Sequence, residues 1–188
     1  LDGPDRMSAY FDEDFDAWVG PFVMAAVNTR VVRRSNELLN GAYGTDFRYD
    51  EGTVISKGAK GFLGANAVGA GTMAFAGLAA LPITRPLLKK FLPKPGEGPT
   101  PEAIENGHYH IELRGIHPTD PSKNMTAHVR GDKDPGYGST SKMIVESALA
   151  LAQDDLPVKG GFWTPASAMG DALLSRLPAS AGVTFEIE

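Results

Sequence analysis

The chain has 188 residues, of which 42% are hydrophobic, and this is enough to bury the core of one globular domain. Its formal net charge is −5, so there is no cationic surplus of the kind that indicates nucleic acid as a partner. It contains no cysteine, which excludes disulfide bonds, thiolate catalysis and cysteine-ligated zinc.

The chain begins Leu1-Asp2-Gly3-Pro4, and its first methionine is Met7. A native start would normally supply an initiator methionine, so we expect this chain to be a piece of a longer protein. No secretory signal peptide is visible, and together with the lack of cysteine this favours the cytoplasm. Up to residue 20 the chain mixes acids with aromatic rings, which predicts a solvated segment whose rings cap the core.

Four regular elements are predicted between residues 21 and 56. The apolar run 21–27 predicts a buried strand, after which Asn28 or Thr29 makes a good N-cap for a helix that continues to about Ala42. Residues 47–51 alternate between apolar and polar and predict a half-buried strand. A further extended segment is expected at 53–56.

Arginines are concentrated near the start of the predicted helix, at Arg30, Arg33 and Arg34. The N-terminus of a helix carries partial positive charge, so cations there are unfavourably placed. This arrangement indicates an anionic partner, and a plain solvated face is the alternative.

Residues 61–92 predict an apolar helical segment with a basic end, where Lys89 and Lys90 stand among leucine and phenylalanine. Its first 21 residues, from Gly61 to Leu81, carry no charge, which is about the length of a membrane span. Glycine and alanine dominate it, however, and they add little apolar area. We expect a buried or interface helix, with contact to lipid or an acyl substrate, or a true span, as alternatives. A proline- and glycine-rich linker follows at 93–101.

Residues 108–114 and 125–130 alternate strictly and predict an antiparallel hairpin. The polar face of this hairpin would carry His108, His110, Glu112 and His128. Three histidines and a carboxylate are metal-ligand types. Alternation alone also places polar residues there, so we expect a solvated or interface face and no metal.

The remaining elements follow from turn and cap signals. A glycine-rich loop leads to a helix capped by Ser139 or Thr140, and Tyr137 in that loop is either a proton or hydrogen-bond donor in a cleft or a packing residue. Thr164-Pro165 starts a second helix, and residues 183–187 alternate as a strand. Together these elements predict an α+β fold with a mixed or mostly antiparallel sheet covered by helices, in a single domain over residues 1–188.

Four pieces of the chain, taken in order, carry a family resemblance. They are 21–35 (PFVMAAVNTRVVRRS), 93–99 (PKPGEGP), 134–137 (DPGY) and 164–174 (TPASAMGDALL). In this order and spacing the sequence resembles the C-terminal half of saccharopine dehydrogenase-like oxidoreductases. The most similar branch is that of the trans-acting enoyl reductases of actinobacterial polyketide lipid synthesis.

This resemblance implies the C-terminal substrate or oligomerisation domain of a two-domain Rossmann-type oxidoreductase. NAD(P)H would bind mainly to an N-terminal half outside this chain, because the sequence lacks the G-x-G-x-x-G fingerprint, and we expect no cofactor in this chain and no activity from it alone. The implied reaction is reduction of enoyl groups in polyketide or fatty-acyl intermediates, in the cytoplasm or in association with a membrane. No catalytic residue is carried over from the family.

Residue type and placement nevertheless suggest candidates. The candidate substrate-binding residues are Asn28, Thr29, Arg30 and Tyr137, of which Tyr137 is also the candidate for catalysis. The candidates for docking an acidic carrier protein are Arg33, Arg34, Lys89 and Lys90. The alternatives to a reductase are a non-catalytic module that binds lipid or a membrane surface, and a homodimerisation module.

Overall fold

The computed structural model describes residues 6–94 and 96–188, so the opening Leu1-Asp2-Gly3-Pro4 and Pro95 of the predicted linker lie outside the described residues. The backbone divides into two compact units, Leu1–Glu97 and Gly98–Glu188. Each unit holds one three-stranded antiparallel sheet together with helices. The predicted α+β class and antiparallel pairing are confirmed, but two small sheets take the place of one. The assignment of residues 1–188 to one C-terminal domain stays a prediction.

The first unit is built around its central strand. Its elements are β1 (Tyr10–Asp12), β2 (Ala17–Pro21), α1 (Ala25–Leu38), β3 (Gly52–Ser56), α2 (Gly58–Ala80) and α3 (Arg85–Leu88). The sheet order is β1-β2-β3, and the register between β2 and β3 shifts at Trp18 and Val19. The expectation of a merely solvated segment before residue 21 is wrong, because β1 and β2 lie there and β2 is largely buried.

The predicted strand over residues 21–27 is also wrong. β2 ends at Pro21 and α1 begins at Ala25, so Asn28 and Thr29 lie inside the helix instead of capping it. The end of a buried strand and the first turn of a helix are both apolar here, and an apolar run does not distinguish the two.

Helix α1 ends at Leu38 and not near Ala42. Asn40 and Gly41 follow with φ of 56° and 78°, the left-handed backbone with which helices commonly end. No strand forms over residues 47–51, and the extended segment predicted at 53–56 is confirmed as part of β3.

Helix α2 packs on β2 and β3 through a face of small residues, Gly61, Ala65 and Gly69, all of them buried. A Cβ atom at Gly61 would overlap the carbonyl oxygen of Ser56, and one at Gly20 of β2 would stand 3.2 Å from the carbonyl oxygen of Ala65. Glycine therefore allows two backbones to approach more closely than any side chain would permit.

The second half of α2, residues 70–80, contains no buried residue. Its C-terminus is held by the residues that follow, since Thr84 Oγ1 lies within hydrogen-bond distance of the carbonyl oxygens of Leu78 and Leu81, the latter at 2.9 Å. Arg85 Nε donates to the carbonyl of Ala79 at 3.0 Å. The helix is long and apolar enough to cross a membrane by length and composition alone. The predicted apolar helix is confirmed to Ala80, but burial within this chain is confined to its first half.

The second unit holds the predicted hairpin. Its elements are α4 (Pro101–Asn106), β4 (Tyr109–Gly115), a 3-10 turn (Pro121–Lys123), β5 (Met125–Gly131), α5 (Gly138–Gln153), α6 (Pro165–Arg176), a π turn (Leu177–Ala181) and β6 (Val183–Ile187). The sheet order is β4-β5-β6, and Val129 of β5 stands between Ile111 and Phe185. The hairpin and the last strand are therefore confirmed.

Two sets of polar contacts stabilise the helices of this unit. Thr164 and Ser167 form a capping box at the start of α6, as the Thr164-Pro165 pair predicts. At its other end Arg176 donates to both carboxylate oxygens of Asp154, at 2.8 and 2.6 Å, and to the buried Glu146 at 3.2 Å. The Arg176 guanidinium holds the pKa of Asp154 below its usual range. These bonds tie α6 to the end of α5.

The close approach of α2 to its sheet can be tested with two glycine-to-alanine substitutions. Gly61→Ala should lower the free energy of unfolding by about 1–3 kcal/mol, because the added methyl overlaps the Ser56 carbonyl. Gly71→Ala is the matched control, since a Cβ there meets nothing within 4 Å, and it should raise that free energy by about 0.5–1 kcal/mol. Urea unfolding followed by circular dichroism measures both, and equal midpoints for the two variants would contradict the packing.

Candidate functional site

Three of the four substrate-binding candidates lie on α1. Thr29 is fully buried, and its hydroxyl donates to the carbonyl of Ala25 at 2.7 Å. Arg30 is exposed and donates from Nη1 to the carbonyl of Ala26. Asn28 is half-buried. Asn28 and Arg30 therefore reach the surface of the first unit. Thr29 is buried, and the hydrogen bond described for it lies within its own helix.

A carboxylate that the sequence does not single out organises this surface. Glu51 accepts a hydrogen bond from Asn28 Nδ2 and another from the Tyr49 hydroxyl, each at 2.9 Å. Arg33 Nη2 donates to the carbonyl of Tyr49 at 3.3 Å. The segment that precedes β3 is thereby fastened to α1. No spacing rule connects Asn28 with Glu51, so the sequence offers no signal for this contact.

Burial is the largest cause that raises the pKa of Tyr49 above its ordinary value of about 10, followed by the hydrogen bond to Glu51 and the negative charges of Glu51 and Asp50. The phenol therefore stays protonated and remains a donor at neutral and mildly alkaline pH. A folded-state pKa above the unfolded value means that this contribution to stability is complete below the ordinary pKa and is lost as the pH rises beyond it.

The docking candidates fall in two places within the first unit. Arg33 is half-buried against Tyr49, and the exposed Arg34 donates from Nη1 to Glu37 at 2.7 Å. Lys89 and Lys90 follow α3 and are exposed, and within residues 6–94 and 96–188 neither of them makes an ion pair. Arg33 is thus engaged with the segment before β3 and Arg34 with its own helix, while the two lysines are exposed.

Tyr137 lies in the second unit, in the loop before α5. The Asp134 carboxylate accepts hydrogen bonds from the backbone N–H groups of Tyr137, at 2.6 Å, and Gly138, at 3.3 Å. The first of these bonds is the largest cause that lowers the pKa of Asp134. Asp134 therefore provides the acceptor at the start of α5.

The caps predicted for α5 are wrong. Ser139 is fully buried and its hydroxyl lies 3.0 Å from the Tyr109 hydroxyl, while Thr140 donates to the carbonyl of Pro135 at 2.6 Å. A carboxylate four residues before the helix replaces both. The signal was the aspartate of the loop itself, because aspartate commonly caps backbone N–H groups ahead of a helix.

The Tyr137 side chain is 58% exposed. Its ring lies beside Gly98, where a Cβ would stand 3.6 Å from Cζ. In the part of the chain that the structure describes, its hydroxyl has no hydrogen-bond partner. The Tyr137 backbone is fixed by Asp134, and more than half of the residue is exposed to solvent.

The polar face of the hairpin brings two histidines together. His110 Nε2 and His128 Nδ1 lie 2.9 Å apart, and His128 Nε2 is 3.7 Å from the Glu188 carboxylate. Glu112, opposite His128 in the ladder, pairs with Arg114 at 2.5 Å. Among the described residues, no three histidine, aspartate or glutamate side chains are arranged to hold a metal ion.

The described residues do not fit a Rossmann-type dinucleotide site. Such a site needs parallel strands joined by a crossover helix with a glycine turn at its start, whereas all the strand pairs of the two sheets are antiparallel. The nearest sequence match, Gly69-x-Gly71-x-x-Ala74, lies inside α2 and not between a strand and a helix.

The effect of Glu51 on Tyr49 can be measured directly. Glu51→Gln should lower the pKa of Tyr49 towards its ordinary value, because it removes a negative charge, but burial should keep that pKa above about 10. NMR titration of ring-labelled tyrosines, with Tyr49→Phe to assign the signal, gives the pKa. Asp46→Asn, an exposed carboxylate outside the contacts of Tyr49, is the control. An unchanged Tyr49 titration in Glu51→Gln would contradict the hydrogen bond.

The Asp134 cap predicts a pH dependence of stability. The folded-state pKa of Asp134 is lowered, so its contribution is present above the ordinary aspartate pKa of about 4 and is lost as the pH falls through the folded value. Asp134→Ala should therefore lower the melting temperature at neutral pH, and the difference from the parent should shrink below about pH 4. Asp155→Ala, at an exposed aspartate two residues beyond α5, is the control. A difference independent of pH would rule out a charged cap.

The chain is similar to trans-acting enoyl reductases of mycobacteria. It is 44% identical over 178 residues to a Mycobacterium tuberculosis (strain H37Rv) protein provisionally named as one, a match that covers 90% of this chain and 41% of the relative. It is 42% identical over 173 residues to a second protein of that strain, named trans-acting enoyl reductase. This match covers 89% of this chain and 40% of the relative. For the trans-acting enoyl reductase of Mycobacterium ulcerans (strain Agy99) the identity is 41% over 169 residues. That match covers 86% of this chain and 39% of the relative.

The chain spans about two fifths of the length of these relatives. No protein-family profile matches it, and no solved structure matches it significantly. The similarity supports the trans-acting enoyl reductase branch of the resemblance, and the wider relation to saccharopine dehydrogenase-like proteins stays a prediction.

Proposed function

We propose that this chain is the substrate-side part of a trans-acting enoyl reductase, which reduces a carbon–carbon double bond in an acyl chain carried by a separate polyketide synthase. The observation that supports the proposal is identity of 41–44% sustained over 86–90% of this chain. The fold by itself does not carry it, because one fold hosts many functions.

The reductant in this proposal is NAD(P)H, bound by polypeptide outside this chain. Two observations support that division. The described residues form no Rossmann-type site, and the relatives are more than twice as long as the matched region. The cofactor would supply the hydride, and the part assigned to this chain is to bind and polarise the acyl group.

Tyr137 is the residue to which we assign polarisation of the substrate. Reduction of an enoyl thioester develops negative charge on the thioester oxygen, and a positioned hydrogen-bond donor stabilises that charge. The exposed side chain of Tyr137, on a backbone fixed by Asp134, supports this role. Within the first unit, and independently of Tyr137, Asn28 and Arg30 are proposed as substrate contacts, and Thr29 is proposed to hold α1 in place.

Arg33 and Arg34 are proposed as the positions that face an acidic carrier protein. They lie on the same helix as Asn28 and Arg30, so a carrier seated there would deliver its acyl group near those residues. Arg34 already forms an ion pair with Glu37, and this limits the contribution of Arg34 to binding an acidic carrier.

The test uses the protein as its own gene encodes it, with NADPH and an enoyl thioester on a carrier protein or a short pantetheine mimic. We expect oxidation of NADPH that depends on the enoyl thioester. Tyr137→Phe should lower kcat about a hundredfold with little change in KM, because the lost donor acts on charge that develops in the transition state. Tyr43→Phe, at an exposed tyrosine of the first unit, should leave kcat unchanged.

Two outcomes distinguish a failure of the proposed reaction from a failure of the role proposed for Tyr137. No enoyl-dependent oxidation by the parent protein would contradict the proposed reaction. Turnover by the parent protein that is equal in Tyr137→Phe would remove Tyr137 and leave the reaction in place.

A further inference from the structure

One part of the first unit combines apolar and basic residues on an acidic protein. No aspartate or glutamate occurs between Glu51 and Glu97, although the whole chain has a net charge of −5. We use the name 70–94 segment for the second half of α2, α3 and the residues that follow. Its positive residues are Arg85, Lys89, Lys90 and Lys94.

The 70–94 segment contains no buried residue. Its exposed large apolar side chains are those of Met73, Phe75, Leu78, Leu81, Ile83, Leu87, Phe91 and Leu92. Ile83 is 86% exposed and Phe91 80%, and a Cβ built at Gly71 or Gly77 would meet nothing within 4 Å. Exposed apolar side chains concentrated in one segment indicate a site of interaction with a protein or a membrane.

We propose that the 70–94 segment binds the surface of an anionic lipid membrane. Its apolar side chains would enter the boundary between headgroups and acyl chains, and its lysines and arginine would contact lipid phosphates. The argument for this occupant is charge complementarity, since a basic segment free of acids is attracted to anionic lipid while the rest of the acidic protein is repelled.

The packing of α2 favours attachment to the surface over a crossing of the bilayer. Gly61, Ala65 and Gly69 hold the first half of the helix against β2 and β3. The part that remains, residues 70–80, is about 16 Å long at 1.5 Å per residue, roughly half of the 30 Å hydrocarbon core. Interfacial insertion therefore leaves the first unit intact, whereas a crossing by α2 would pull its first half from the sheet.

Other occupants fit these observations less well. An acyl substrate needs a concave site that buries most of its surface, whereas no residue of the 70–94 segment is buried. A second copy paired through the same segment would bury cations against a surface that has no aspartate or glutamate to pair with them. An acidic carrier protein would use the charges but not eight exposed apolar side chains.

The test is flotation of the protein, as its own gene encodes it, with vesicles of phosphatidylcholine alone or mixed with phosphatidylglycerol. We expect binding to the mixed vesicles, which weakens as salt rises, and little binding to phosphatidylcholine. The double variant Ile83→Asp/Phe91→Asp should bind at least about tenfold less, because it places two charges in the inserted face. Lys89→Glu/Lys90→Glu should also bind at least about tenfold less, since each basic residue near the surface contributes about fivefold.

Phe162→Asp is the matched control, because Phe162 is 98% exposed in the second unit and lies outside the segment. It should bind as the parent does, and circular dichroism checks that each variant keeps its helix content. Failure of the parent to float, equal binding to both kinds of vesicle, or equal loss in Phe162→Asp would overturn the proposal. So would a dimer, seen by light scattering without lipid, that Phe91→Asp dissociates while flotation is unchanged.

This proposal is independent of the enoyl reductase assignment. The flotation readout needs no cofactor and no substrate, so membrane binding can fail while turnover is retained, and turnover can fail while membrane binding is retained.

Discussion

The first unit depends on one backbone-to-backbone contact, between the small-residue face of α2 and strands β2 and β3. Gly61 lies so close to the Ser56 carbonyl that any side chain would displace the helix. Because this face admits only glycine and alanine, the large residues of α2 must lie on its other sides. Phe62, for example, packs at the flank of the contact, with its ring 4.8 Å from that of Trp18. The second half of α2 extends beyond this contact, and its large apolar side chains are exposed.

The second unit places its functional candidate by a different means, a set of polar contacts at the ends of elements. Asp134 holds the backbone of Tyr137 and Gly138, and Arg176 joins α5 to α6 through Asp154. Charge-assisted bonds of this kind add geometric specificity to the apolar packing of α5 against α6, in which Ala150, Ala168 and Met169 are buried. These bonds restrain the backbone of Tyr137, and more than half of that residue is exposed.

Local patterns predicted the elements whose residues interact with their sequence neighbours. Strict alternation identified the hairpin of β4 and β5, and Thr164-Pro165 identified the start of α6. Contacts between distant residues were not predictable, since nothing in the sequence pairs Asn28 with Glu51 or Arg176 with Asp154. The start of α1 was missed because apolar residues run without a break from β2 into the helix. The length of α2 was predictable from its uncharged composition, but which of its residues are buried depended on where the sheet lies.

Hydrogen exchange along α2, measured without lipid, tests the division of this helix most directly. Amides protected by tertiary packing exchange far more slowly than those of a helix that is exposed on all sides. We predict slow exchange over residues 61–69, comparable to the central strand β2, and much faster exchange over residues 70–80. Equal protection along the whole helix would contradict the account, because it would mean that the second half is covered as closely as the first.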